Sequence, residues 1–193
     1  MNSKIYFLLS MVIGVIALSS CNDSTTTDIE SSYQTNQEEA FNAIANNSAY
    51  TKIESLSKAG FIMYKELVDG NGPKPLFTDQ VKVKYTGWYK TDWTKPDTYT
   101  DEKGNFIRNK IVFDTTATAD GVNVPSTLKV AASISSTDGG VIDGFSTALQ
   151  NMEVGDKWEV WIPWQLGYGS TATTTIPAYT TLVFEIELLE IVN

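Results

Sequence analysis

The stretch VIDGFSTALQNMEVGDKWEVWIPWQLGYG, residues 141–169, contains three of the chain's five tryptophans, Trp158, Trp161 and Trp164, and a single basic residue, Lys157. What chemistry uses so many aromatic rings and so few charges? Much is excluded at once. None of the 193 residues is histidine, so a neutral imidazole base, a Ser-His or Cys-His pair and a histidine-ligated metal are all absent. Cys21 is the one cysteine, which leaves no disulfide framework and no CxxC metal site. Neither a GxGxxG turn nor a P-loop nor an internal repeat is present. No metal and no cofactor is therefore expected.

The elements that must position this segment follow from periodicity. Thr35 and Glu38 have capping-box spacing ahead of EEAFNAIANNSAYTKIESLSKAG, where Phe41, Ile44, Ala45 and Ser48 recur at helical intervals. A helical extension over residues 37–60 is predicted, with Gly60 as its stop, packing on the main domain or serving as a dimerisation arm. After Gly60 the period changes to two. FIMYKELV, VKVKYTGWY, STLKVAAS, KWEVWIP and TLVFEIELLEI read as strands, and Leu182, Phe184, Ile186 and Leu188 share one face of the last. FSTALQNM is the one internal helix candidate. Many antiparallel strands around one short helix indicate an α+β domain over residues 61–193. An inserted hairpin or loop is expected at about residues 90–111, with TDEKGN as its turn.

The first twenty residues read as a signal peptide: Lys4, then the apolar IYFLLSMVIGVIAL, then LSS before Cys21. This resembles the lipobox of bacterial lipoproteins, which implies that Cys21 is acylated and that the body hangs from a membrane, in the bacterial cell envelope and outside the cytoplasm. A transmembrane anchor is the competing reading, although residues 5–18 are short for a span. Residues 21–36, rich in Ser and Thr, read as a flexible tether. With 42% hydrophobic residues the chain can build a globular core. Its net charge of -9 argues against nucleic acid and against electrostatic docking on anionic lipid.

Four phrases in order, VKYTG, FDTT, VIDGF and LGYG followed by IPAYTTLVFEIELLEI, resemble the signature of the FKBP-type peptidyl-prolyl cis-trans isomerases over roughly residues 61–192. The resemblance implies a half-barrel antiparallel sheet of about five or six strands wrapped around one short helix, and proline-containing polypeptides as partners. By motif match, Tyr85, Asp114, Ile142 and Tyr168 would be the catalytic set. Asp114 would bond the Tyr85 hydroxyl, while the Ile142 N–H and the Tyr168 hydroxyl would hold substrate carbonyls. Phe113, Leu128, Val141, Phe145, Ile176 and Phe184 would bind substrate, with Val130 in support. Val130, Val141 and Phe184 would also be core residues in any such sheet. Phe145 stands where the family usually has tryptophan, and Leu128 where it commonly has phenylalanine, so only weak binding of macrolides is implied. Two other classes of function stay open. One is a non-catalytic module of this fold acting as a holdase or surface adhesin. The other is glycan capture by Trp88, Trp93, Tyr99 and Phe106.

Overall fold

This computed structural model describes residues 24–133 and 140–192. Cys21 and the signal-peptide reading lie outside the described residues. The first element, α1, runs over Ser24–Ala45, so helix occupies most of the stretch read as a tether and begins well before the capping box. The hydroxyl of Thr35 is not a cap: it donates back to the Ser31 carbonyl at 2.8 Å, as mid-helix threonines do. Glu38 instead accepts from Gln34 and Trp164. The expected helix over 37–60 accordingly ends at Ala45, where the Asn46 side chain bonds the Asn42 carbonyl. Thr51–Glu54 forms a strand, β1, antiparallel to β2 (Phe61–Val68). Gly60 closes that hairpin by accepting from the Ser55 N–H rather than stopping a helix.

The remaining strands are β3 (Gln80–Lys90), β4 (Thr98–Thr100), β5 (Phe106–Arg108), β6 (Lys110–Thr115), β7 (Ser126–Lys129), β8 (Lys157–Ile162) and β9 (Leu182–Val192). Among the described residues they make an antiparallel seven-stranded sheet in the order β1-β2-β8-β9-β3-β6, with β7 also paired to β3. Alternation along β8 and along most of β9 decides which residues face the core. Trp158, Val160 and Ile162 of β8 and Leu182, Phe184, Ile186 and Leu188 of β9 point into one core with Val81 and Val83 of β3. Among the described residues, the helix packed on that core is α2 (Asp143–Leu149), which buries Phe145, Ala148 and Leu149.

Between β3 and β6 the chain leaves the sheet and returns through the β4–β5 ribbon. Asn109, fully buried, organises its base: its side-chain oxygen accepts from Thr91 and Asp92, and its amide donates to the Asp92 and Pro96 carbonyls. Asp101 holds the ribbon's turn by accepting from the Lys103 and Asn105 N–H groups. Two of the aromatics considered for glycan capture are occupied by the protein itself. The Trp93 ring packs on Trp161 at 4.7 Å, and Lys110 lies over Trp88 at 4.2 Å.

Gly144 permits α2 to sit this close to the sheet, since a Cβ there would lie 2.3 Å from Ile162 Cγ2. An open helical site would gain stability from Gly→Ala. Here Gly144→Ala is expected to cost about 1 to 3 kcal/mol through overpacking, measured as a fall in the urea midpoint at unchanged slope. A rise in the midpoint would show that the interface is looser than described.

Candidate active site

A cavity of about 300 Å³ opens between α2 and the edge of the sheet. Tyr85, Asp114, Leu128, Ser133, Gly140, Val141, Ile142, Phe145, Tyr168 and Phe184 line it. Its floor is a set of rings packed edge to face, Phe145 on Phe184 at 5.1 Å and 84° and Tyr85 on Phe145 at 5.5 Å and 77°, backed by Phe113 against Phe184 at 5.5 Å and 89°. Gly87 of β3 admits this cluster, because a Cβ would fall 2.5 Å from Phe184 and 2.9 Å from Phe113.

The polar members come from strand geometry. Opposite β3, Gly87 pairs with Asp114 while Trp88 pairs with Val112, so Phe113 is the extra residue of a β-bulge. The bulge lets two consecutive residues serve the site. Phe113 packs on Phe184 and Tyr168, and Asp114, exposed at the rim, accepts from the Tyr85 hydroxyl at 2.8 Å. Tyr168 follows a short 3-10 helix, Trp164–Leu166, and is 38% exposed. Its ring meets that of Phe113 at 6.4 Å and 88°.

Both phenols are held neutral. Burial pushes the Tyr85 hydroxyl far above its ordinary range, and the hydrogen bond to Asp114, then that carboxylate's charge and the Tyr168 phenol, push it further. Burial, then the Asp114 charge, raises Tyr168 as well. The site thus sets two phenols and one carboxylate on largely apolar walls, with the Tyr85 proton given to Asp114.

Eight of the residues singled out in the sequence meet in this cavity: Tyr85, Asp114, Leu128, Val141, Ile142, Phe145, Tyr168 and Phe184. The other three stand behind it. Phe113 supports the wall from its bulge, Ile176 is buried in the core, and Val130 is fully buried with its carbonyl accepting from Ser146. Ser133 and Gly140 were not foreseen. They reach the wall because Ala132 and Val141 form a parallel bridge, with the Ser133 N–H donating to the Val141 carbonyl. A Cβ on Gly140 would lie 2.5 Å from that of Ser133. Nothing in local periodicity announces such a bridge.

Elsewhere, carboxylate oxygens of Glu66, Asp69 and Asp156 lie within 4.8 Å of one another, a spacing that could hold a cation. Asp156, however, is already engaged, accepting from the N–H groups of Gly70 and Glu153. It therefore acts as a pin between two turns.

The sequence profile of the FKBP-type peptidyl-prolyl cis-trans isomerases matches residues 103–189. FK506-binding protein 1 of Aspergillus oryzae is 32% identical over 127 residues, covering 66% of this chain and 95% of that protein. The chain belongs to the FKBP-type isomerase family. The FKBP-type 22 kDa peptidyl-prolyl cis-trans isomerase of Escherichia coli is 33% identical over 131 residues, but this FKBP chain spans only 50% of that protein's length. A crystal structure of a peptidyl-prolyl cis-trans isomerase from Pseudomonas syringae superposes with a TM-score of 0.56 at 26% identity, covering 89% of this chain and 98% of that one. The half-barrel around α2 is thus the family's fold.

The causes of the Tyr85 shift can be separated. Asp114→Asn removes a charged acceptor and leaves the burial, so ultraviolet difference titration should show Tyr85 ionising at lower pH than in the parent, yet still above ordinary tyrosine. An unchanged titration curve would mean that the pair is not coupled.

Proposed function

We propose that the protein binds X-Pro segments of polypeptides in the Phe145–Phe184 cavity and accelerates rotation about the X-Pro bond. The observation that carries this reading is the meeting of the Tyr85–Asp114 pair and the Tyr168 phenol over an aromatic floor. The barrier, roughly 18 to 20 kcal/mol, arises from amide resonance, and rotation breaks no covalent bond. A planar amide is charge-separated and is favoured by water. A dry pocket disfavours that form relative to the twisted one, and donors placed for the twisted geometry add to the difference.

In this mechanism Phe145, Phe184, Leu128 and Val141 accept the pyrrolidine ring. The Ile142 N–H and the Tyr168 hydroxyl hold the flanking carbonyls, and Asp114 orients Tyr85 and sets the field at the rim. Phe113 and Ile176 act by supporting those walls. No histidine or thiol is required, which suits a chain without either in its described site. Retention of all four polar groups favours catalysis over a purely non-catalytic binding module, in which nothing would keep them together. With Phe145 and Leu128 the pocket is softer than a tryptophan-floored one, so macrolides should bind weakly.

The setting we propose is the bacterial cell envelope, outside the cytoplasm, with Cys21 acylated and exported polypeptides as clients. Support comes from LSS before Cys21 and from a relative, the outer membrane protein MIP of Legionella longbeachae, 33% identical over 131 residues. Radiolabelled fatty acid should enter the parent and not Cys21→Ser, and equal labelling of both would remove the anchor.

For the cavity, Tyr168→Phe deletes one neutral hydrogen bond, worth roughly 0.5 to 1.5 kcal/mol net. A several-fold loss of kcat/KM at nearly constant Tm is expected in a protease-coupled assay. With both phenols pushed upward and no histidine, the parent's kcat/KM should stay flat between about pH 7 and pH 9. A parent no faster than the uncatalysed rate would end the enzymatic reading.

A further inference from the structure

Helix α1 is fastened to the body by polar contacts to two places, residues 90–93 and the two ends of the segment carrying Tyr168. Gln37 is fully buried, and its amide is engaged through both its nitrogen and its oxygen. Its Nε2 donates to the Lys90 carbonyl at 2.9 Å, and its Oε1 accepts from Trp93 Nε1 at 2.9 Å and from the Thr181 N–H at 3.1 Å. Its backbone carbonyl accepts from Thr181 Oγ1 at 2.9 Å. One turn earlier, Tyr33 lies 2.8 Å from Thr180 Oγ1. Since that hydroxyl donates to the Pro177 carbonyl at 2.7 Å, Tyr33 is the donor to it. The next residue, Glu38, accepts from Trp164 Nε1 at 3.0 Å.

Trp164 and Thr181 bracket Tyr168, and the chain between them is tied crosswise. The Gly169 N–H donates to the Trp164 carbonyl at 2.9 Å, and the Tyr179 N–H to the Gly169 carbonyl at 3.0 Å. The Trp164 and Tyr179 rings meet at 5.1 Å and 82°. Tyr179 has φ of 60°, a left-handed conformation that a non-glycine residue keeps only when its surroundings over-determine it. An apolar side chain at position 37 would fill the same space with no buried amide to satisfy. What the amide adds is direction: it fixes where Lys90, Trp93 and Thr181 stand relative to one another.

We infer that Gln37, with Tyr33 and Glu38, is a positioning residue for isomerisation: α1 sets the conformation of the Trp164–Thr181 segment and thereby the place of the Tyr168 hydroxyl. The inference rests on the reading of the cavity as the isomerase site. It requires that losing the helix contacts and losing the Tyr168 hydroxyl damage the same step, so the two should not add.

The test is a double-mutant cycle on the full chain, at a temperature where every variant is folded. Gln37→Met should lower kcat/KM roughly two- to tenfold, the range of the one neutral hydrogen bond that the Tyr168 hydroxyl makes. The same change in a Tyr168→Phe background should do almost nothing. Multiplying losses, or a lower Tm with unchanged kcat/KM, would overturn the inference. Should Gln37→Met fail to fold, Tyr33→Phe keeps the ring, deletes one hydroxyl, and carries the same expectation of non-additivity. Amide hydrogen exchange needs no catalysis: Gly169 and Tyr179 should exchange faster in the helix variant while Met63 of β2 is unchanged. A parent without isomerase activity would defeat the cavity reading alone. Unaltered exchange at Gly169 and Tyr179 would defeat the positioning role itself.

Discussion

Phe184 meets Phe145 edge-on at 5.1 Å, and through this contact the sheet, the helix and the cavity determine one another. Phe184 comes from the middle of the sheet and Phe145 from the helix packed on it, so their packing fixes how far α2 stands from β9. Glycine is imposed on both sides of the contact, at position 87 beneath Phe184 and at position 144 against Ile162. With the rings so placed, Tyr85 closes the floor at 5.5 Å from Phe145, and Phe113 backs it at 5.5 Å from Phe184. The space above them is the cavity.

An aromatic floor alone would be only a greasy cleft. The bulge at Phe113 brings Asp114 to the rim, where its charge is partly in water and its oxygen orients Tyr85. Neutral phenols held by burial and by a nearby carboxylate remain donors at any ordinary pH. That combination suits a reaction in which no bond is made or broken and the differential between planar and twisted amide is all that counts.

Much of this was legible from residues, and the exceptions have physical reasons. The strands Gln80–Lys90, Lys157–Ile162 and Leu182–Val192 announce themselves by alternation, and the helix Asp143–Leu149 overlaps the FSTALQNM segment that EVGD ends. The start of α1 differs from the expected one because Thr35 and Glu38 have capping spacing but are used otherwise: the hydroxyl bonds inside the helix and the carboxylate accepts from Trp164, far away in sequence. Thr51–Glu54 carries no strand signal because four residues are too few to show a period, and they become a strand only by pairing with β2. Cavity residues with a motif around them were found together. Ser133 and Gly140 were missed because a parallel bridge between Ala132 and Val141 has no local signature. The burial of Gln37 was equally hidden, since a polar side chain in a polar helix gives no sign that its partners are Lys90, Trp93 and Thr181.

The claim that this aromatic cavity twists prolyl amides is tested most directly by NMR exchange spectroscopy on a short Ala-Pro peptide with a catalytic amount of the protein. Uncatalysed exchange takes tens to hundreds of seconds, too slow for exchange cross-peaks between the cis and trans signals. The account predicts that cross-peaks appear when protein is added, and that the protein amides that shift are those of Tyr85, Ile142, Phe145 and Tyr168. Peptide-induced shifts confined to the β4–β5 ribbon, with no cross-peaks between the two isomers, would contradict it.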